Sequence, residues 1–189
     1  MGPRACTRMT IVVLVAAPAL AACKGDREPS TAVGEATRTT SAALRASTKT
    51  DREFLAKEGE EGLFEVTLGS LAQRKSASAA VRAYGAQMIS DHGAALDELR
   101  QLGNARGVIL PTTLNAEHEK LTGELSKLGP ASFDGRFVEK MVGEHEDEVA
   151  RVEKASKEAD DAEVRAWAAK RLPIIRDHLV RARALGPSS

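Results

Sequence analysis

Cysteine is nearly absent from this chain: 2 of 189 residues, Cys6 and Cys23. That excludes a disulfide scaffold and leaves no thiol chemistry downstream of residue 23. Aromatic residues make up 3% and there are only 7 Pro, which with 42% hydrophobic residues suits one compact globular domain and excludes a collagen-like chain. Charge of either sign is not in excess, since 27 Lys+Arg face 27 Asp+Glu. No basic face or stripe for nucleic acid is therefore expected. Neither a Gly-x-Ser-x-Gly motif nor a phosphate-cradling Gly-rich loop occurs, so the common hydrolytic chemistries have no nucleophile here. Uncharged apolar runs are equally scarce. The one from Met9 to Ala22 falls short of the ~20 residues that a membrane-spanning helix needs, which excludes a polytopic membrane protein.

What that run does carry is an address. Arg4 and Arg8 precede it, and it ends in Leu20-Ala21-Ala22-Cys23. A basic segment, an apolar segment and small residues before a cleavage point make a secretory leader. The thiol placed directly after them resembles a bacterial lipobox; an ordinary secretory leader cleaved nearby at an Ala-rich site is the alternative. The reading is a lipoprotein signal peptide over residues 1–22, with acylation of Cys23 anchoring the chain to a membrane without spanning it. Several acyl chains at ~0.8 kcal/mol per buried CH2 make that anchor durable. Loss of Arg4 and Arg8 with the leader gives the remainder a charge of about −2. By resemblance to other lipoproteins, Lys24 after the Cys favours the outer membrane over inner-membrane retention, facing the periplasm.

From Cys23 to Lys49 the chain is rich in Ser, Thr, Ala and charge, too poor in large apolar residues to offset its ordering entropy, and reads as a tether. A domain is expected over residues 50–186. Thr50-Asp51-Arg52-Glu53 has the capping-box pattern ahead of Phe54-Leu55, opening a helix to about Lys75. A second helix, Ser78 to about Arg106, carries Val81, Tyr84, Met88, Ala95, Leu99 and Leu102 on one stripe, with Gly107 as its left-handed stop. Asn115 to Leu128 reads as a short helix stopped by Gly129-Pro130. Ser132 to Glu158 is a long one, and Asp160-Asp161 caps a last helix to Leu185 in which Pro173 predicts a kink or an opened turn. Gly59, Gly62 and Gly69 weaken the first helix by ~1 kcal/mol each relative to Ala, and such spacing suits a close helix approach.

A shift of 83 residues superimposes the two halves, because Phe54, Lys57, Glu61 and Glu65-Val66 recur as Phe137, Lys140, Glu144 and Glu148-Val149. Val81-Arg82-Ala83-Tyr84 likewise recurs as Val164-Arg165-Ala166-Trp167. Core and polar positions repeat together, which favours duplication over chance periodicity. The expected fold is all-α, a ferritin-like four-helix bundle of two helical hairpins with a short crossover helix between them.

Several of these residues stand in a recognisable order: Glu65, Met88-Ile-Ser-Asp91-His92, Leu110-Pro111, Phe133-Asp134, Glu144-His145 and Leu172-Pro173-Ile-Ile-Arg-Asp177-His178. Over residues 51–185 this resembles the domain-of-unknown-function family numbered 4142, envelope proteins assigned to a ferritin-like fold. The resemblance implies architecture and exported location, and no activity. Where that family usually has Asp before its fourth-segment His, this chain has Glu144 before His145.

Three of the four His, His92, His145 and His178, follow a carboxylate directly and fall on or beside the apolar stripes of three different long helices. His118 stands alone on the short helix and is expected to face water. At ~1.5 Å rise per residue counted from a turn at Ala77, Glu61 and His92 reach nearly one height; from Asp160, His145 and His178 differ by about 4.5 Å. The three imidazoles could thus converge with Glu61, Glu65 or Glu148 inside the bundle, a donor set suited to zinc, iron or copper. Ile89, Val142 and Ile175 stand three residues before the three His, so the paired Glu-x-x-His of carboxylate-bridged di-iron proteins is missing. The competing reading is a non-catalytic envelope module whose imidazoles serve packing, each bonded to a facing carboxylate or carbonyl. Met88, Met141, Tyr84 and Trp167 are expected to fill the core.

Overall fold

The structure is a computed structural model that describes residues 47–186, so the leader, Cys23 and the tether up to residue 46 lie outside the described residues. Among those described there are five helices and no strand: α1 (Lys49–Lys75), α2 (Ala79–Asn104), α3 (Ala116–Lys127), α4 (Pro130–Glu158) and α5 (Ala162–Leu185). None is long and apolar enough to cross a membrane.

Helix ends follow local chemistry closely. The first differs from expectation, because Thr48 rather than Thr50 is the N-cap, its hydroxyl accepting from the Asp51 amide at 3.2 Å. Thr50 is absorbed into the first turn, and Ser47 is already buried with its carbonyl bonded by the Arg52 guanidinium. The helix thus begins at Lys49, with Thr48 as its cap. Ser78, Asn115 and Asp161 cap α2, α3 and α5, and Gly107 takes the expected left-handed turn at φ 70°. Pro130 does more than stop α3. It occupies the first turn of α4, where its missing N–H costs nothing. Pro173 neither ends nor opens α5, which runs helical through it from Ala162 to Leu185.

α1 packs on α2 and α4 on α5, each pair joined by a tight turn, while α3 lies in the crossover between pairs. The first pair is unusually close. A Cβ on Gly69 would stand 2.6 Å from the Gly85 carbonyl oxygen, and one on Gly85 would stand 2.8 Å from that of Gly69, so only glycine lets these backbones touch.

The 83-residue repeat is expressed in contacts as well as in letters. Asp51 accepts from the amides of Asp160 and Asp161 at 3.2 and 2.8 Å, while its counterpart Asp134 accepts from the Ser78 amide at 3.1 Å. Each half therefore caps the hairpin turn of the other. Phe54 meets Trp167 edge-on at 6.0 Å and Phe137 meets Tyr84 edge-on at 6.2 Å, again crossing between halves. Within each half, Arg82 bonds the carbonyls of Ser76 and Ala77, and Arg165 those of Ala159 and Asp160. Reciprocal contacts of this kind are what an approximate twofold axis produces.

Apolar residues collect in two clusters, one around Phe64, Met88, Phe137 and Met141, the other around Leu55, Leu99, Val152 and Ile175. α1, α2, α4 and α5 each run from one cluster to the other. Between them, at mid-length, these four helices place polar side chains that are just as deeply buried.

Candidate metal centre

α2 supplies His92 one turn from Met88, α4 supplies His145 one turn from Met141, and α5 supplies His178 one turn from Ala182. α1 contributes Glu65, and α4 adds Glu148 one turn below Val152. Exposure of the three imidazoles is 2% or less. Their rings stand 5.2, 5.4 and 5.6 Å apart between centroids, nearly an equilateral triangle. One nitrogen from each lies within 4.8 Å of the other two, and Glu65, His92, His145 and Glu148 form an overlapping group within the same limit.

Two rings have one nitrogen already committed. His145 Nδ1–H donates to the Met141 carbonyl at 2.8 Å, and His178 Nε2–H donates to Asp91 Oδ2 at 2.9 Å. These bonds fix the tautomers, leaving His145 Nε2 and His178 Nδ1 as lone-pair acceptors. His92 Nδ1 stands 2.8 Å from Glu65 Oε2, off the line of a hydrogen bond. The remaining nitrogens, His92 Nε2, His145 Nε2 and His178 Nδ1, are all buried without a hydrogen-bond partner, as are Glu65 Oε2 and Glu148 Oε2. Folded proteins leave only a few such atoms per hundred residues. Five such atoms in one layer make it the place where this fold leaves the largest share of its buried polar capacity unused among the described residues.

Protonation states match. Burial pushes His92 down to about 3 and, against the pull of Glu65 and Asp91 respectively, His145 and His178 down to about 4, so all three imidazoles are neutral, with a lone pair on the free nitrogen. Burial likewise raises Glu65 to about 7 and Glu148 well above the usual carboxylate range. A cation placed among them would reverse that and draw the carboxylates into their ionised form. The buried Arg171, held by one bond to the Asp91 carbonyl at 3.2 Å, flanks this layer, and Arg151 pairs with Glu58 at 2.6 Å beside it.

Of the residues singled out from sequence, His92, His145, His178, Glu65 and Glu148 come together. Glu61 does not join them: it groups with Glu60 and His118, one turn along α1. Glu61 and Glu65 lie on nearly the same face of α1, one turn or ~6 Å apart in height, and the carboxylate beside His92 is Glu65. Burial would raise Glu61, yet the Lys57 ammonium, with His118 and Arg151, holds it below the ordinary range. His118 does not face water. It is 7% exposed and stacks on Phe64 at 4.0 Å, because α3 folds down over α1. The competing packing reading anticipated acceptors of these two kinds, a facing carboxylate and a carbonyl, but not which residues supply them. Asp91 was visible only as the neighbour of His92, whereas it serves His178 on another helix, and the Met141 carbonyl carries no sequence signal at all.

Residues 36–185 match the family described as Domain of unknown function (DUF4142). No curated protein matches the chain. Among solved structures it is similar to the "Crystal structure of DUF305 fragment from Deinococcus radiodurans", at 15% identity and a TM-score of 0.64, covering 74% of this chain and 96% of that one. At that identity the likeness speaks for the helical fold alone. The family match spans most of the sequence and every element described above, and the chain belongs to the DUF4142 family.

Proposed function

We propose that this protein is a lipid-anchored envelope protein whose two hairpins form a ferritin-like four-helix bundle around a single transition-metal ion. The observation that carries the reading is the set of unpartnered ring nitrogens on His92, His145 and His178, two of them on rings whose other nitrogen is anchored by Met141 and Asp91. Anchoring the far nitrogen of a ligating imidazole is how proteins orient such ligands and raise their basicity. Three neutral imidazoles with a carboxylate suit zinc, iron or copper. Glu148, which groups with His92 and His145, is the carboxylate donor in this reading, and Glu65, against both His92 and His145, serves chiefly to position them. The bound ion would supply Lewis acidity or, for iron or copper, electron transfer.

Zn–N bonds of ~2.0–2.1 Å put tetrahedral nitrogens roughly 3.3 Å apart, so binding would draw the three rings somewhat closer than the 4.8 Å limit that now contains them. With no Glu-x-x-His pair, the site is mononuclear in this reading. Acylated Cys23 would hold the domain at the membrane on the periplasmic side, and residues 24–46 would set its distance. Membrane fractionation of wild type and Cys23→Ala checks that part; equal distribution of both would end it.

Elemental mass spectrometry on the chain lacking residues 1–23, purified without an affinity tag, tests the centre. Near-stoichiometric metal in the wild type, lost in His92→Ala and His145→Ala, is expected. Protein that remains metal-free after incubation with zinc, copper and ferrous iron would return the imidazoles to a packing role.

A further inference from the structure

Where α3 crosses α1, a second set of donors meets: Glu60, Glu61 and His118 each offer one ligand atom within 4.8 Å of the others. This set is independent of the imidazole centre and is built from different contacts. Asn115, the cap of α3, accepts from the His118 amide at 2.8 Å and donates from its own Nδ2 to Glu60 Oε1 at 2.9 Å, so the residue that starts the helix also fixes one carboxylate. Stacking on Phe64 fixes the His118 ring. Glu61 Oε2 faces His118 Nε2 at 3.7 Å and is buried with no hydrogen-bond partner, in a side chain 6% exposed.

One cation is already drawn to this place. The Lys57 ammonium contacts Glu61 Oε1 and stands 3.2 Å from Glu60 Oε1, on a side chain 46% exposed. A lysine head on a four-carbon stem is a mobile point charge, held by attraction and free to swing into water. We propose that Glu60, Glu61 and His118 form a second, shallower binding site for a divalent transition-metal ion, which enters by displacing the Lys57 ammonium. Two carboxylates and one imidazole make a mixed oxygen and nitrogen set open to several first-row ions. Glu65 lies one turn further along α1, so the outer site stands at the mouth of a carboxylate series leading inward to the imidazole centre.

Titration calorimetry with Co2+ on the chain lacking residues 1–23 tests this site apart from the inner one. The His92→Ala/His145→Ala chain is expected to keep one weak equivalent, and adding His118→Gln or Glu61→Gln removes it. In the otherwise wild-type chain, Lys57→Met tightens the weaker equivalent roughly fivefold by removing its competitor, a readout that needs no disruption of the core. A weak equivalent that depends on His118 with no tight one beside it would sustain this site while overturning the inner one. Absence of any weak equivalent, or one indifferent to His118, Glu61 and Lys57 alike, would overturn it.

Discussion

Asp91 accepts the Nε2 proton of His178 while its own side chain stays 32% exposed, so its loss disturbs ring orientation without opening the core. Asp91→Ala is expected to weaken metal affinity ~10–100-fold, as loss of such an outer partner generally does, while the helical circular-dichroism signal stays unchanged. Equal affinity in both proteins would show that His178 needs no such support. The imidazoles also fix an acid limb for the metal-free protein. Their folded values of about 3 and 4 lie below the unfolded ~6.5, so the unfolded chain takes up protons first and stability declines as pH falls from there. Glu65 and Glu148 act with the opposite sign, their raised folded values contributing stability below the unfolded ~4.3 that is lost as pH rises, for Glu65 through about 7. The two slopes oppose one another between ~4.5 and 6.5; below that the imidazole slope persists, joined by that of carboxylates held low, such as Glu61 and Asp91. Urea unfolding of the metal-free chain should therefore show a shallow dependence down to pH ~4.5 and then lose up to ~1.4 kcal/mol per pH unit for each imidazole. His145→Ala should make that limb shallower; an identical limb would refute the assignment. At this scale the sequence showed which His meet in the interior, because three lie along apolar stripes. It misplaced His118, whose neighbour Phe64 is brought to it only by the fold of α3.

Helix α1 meets α2 through Gly69 and Gly85, whose backbones leave no room for a methyl group. Gly69→Ala forces the hairpin apart and is expected to cost about 1–3 kcal/mol in chemical denaturation, outweighing the helix propensity gained. Gly59→Ala is the control. Its Cβ would meet only the end of the Leu110 side chain, at 2.8 Å, which can rotate away, so a smaller effect is expected and a larger one would argue against backbone contact as the cause. The turns offer a second comparison. Asp51 serves two amides that have no other side-chain acceptor, whereas the Ser78 amide bonded by Asp134 also has the Ser76 hydroxyl at 3.0 Å. Asp51→Ala should cost about 1–3 kcal/mol and Asp134→Ala clearly less, with the difference read from unfolding midpoints. Helix spans were legible because stripes, Gly107 and the caps at Ser78, Asn115 and Asp161 all speak locally. The start of α1 was not, since Thr48 and Thr50 compete for one role and the outcome depends on Asp51 reaching across to another hairpin.

The repeat that shapes the molecule stops short of its centre. Counted by 83 residues, His92 corresponds to Ile175, His145 to Gly62 and His178 to Ala95, so a symmetrical scaffold carries an asymmetrical set of donors. Glu65 and Glu148 do correspond, which is why the duplication disclosed the carboxylates in pairs but gave no hint of how the imidazoles would meet. Because an ion held there binds only the folded chain, metal at a hundredfold excess over its Kd should add ~2.7 kcal/mol to unfolding, and none in His145→Ala. Thermal denaturation with and without metal reads this directly, and equal shifts in both proteins would place the ion elsewhere. His92 comes from one hairpin and His145 and His178 from the other, with Glu65 closing the ring from the first. Neither half alone carries the full donor set, so an ion bound in the centre would certify a finished molecule and a half-folded chain would stay unmarked.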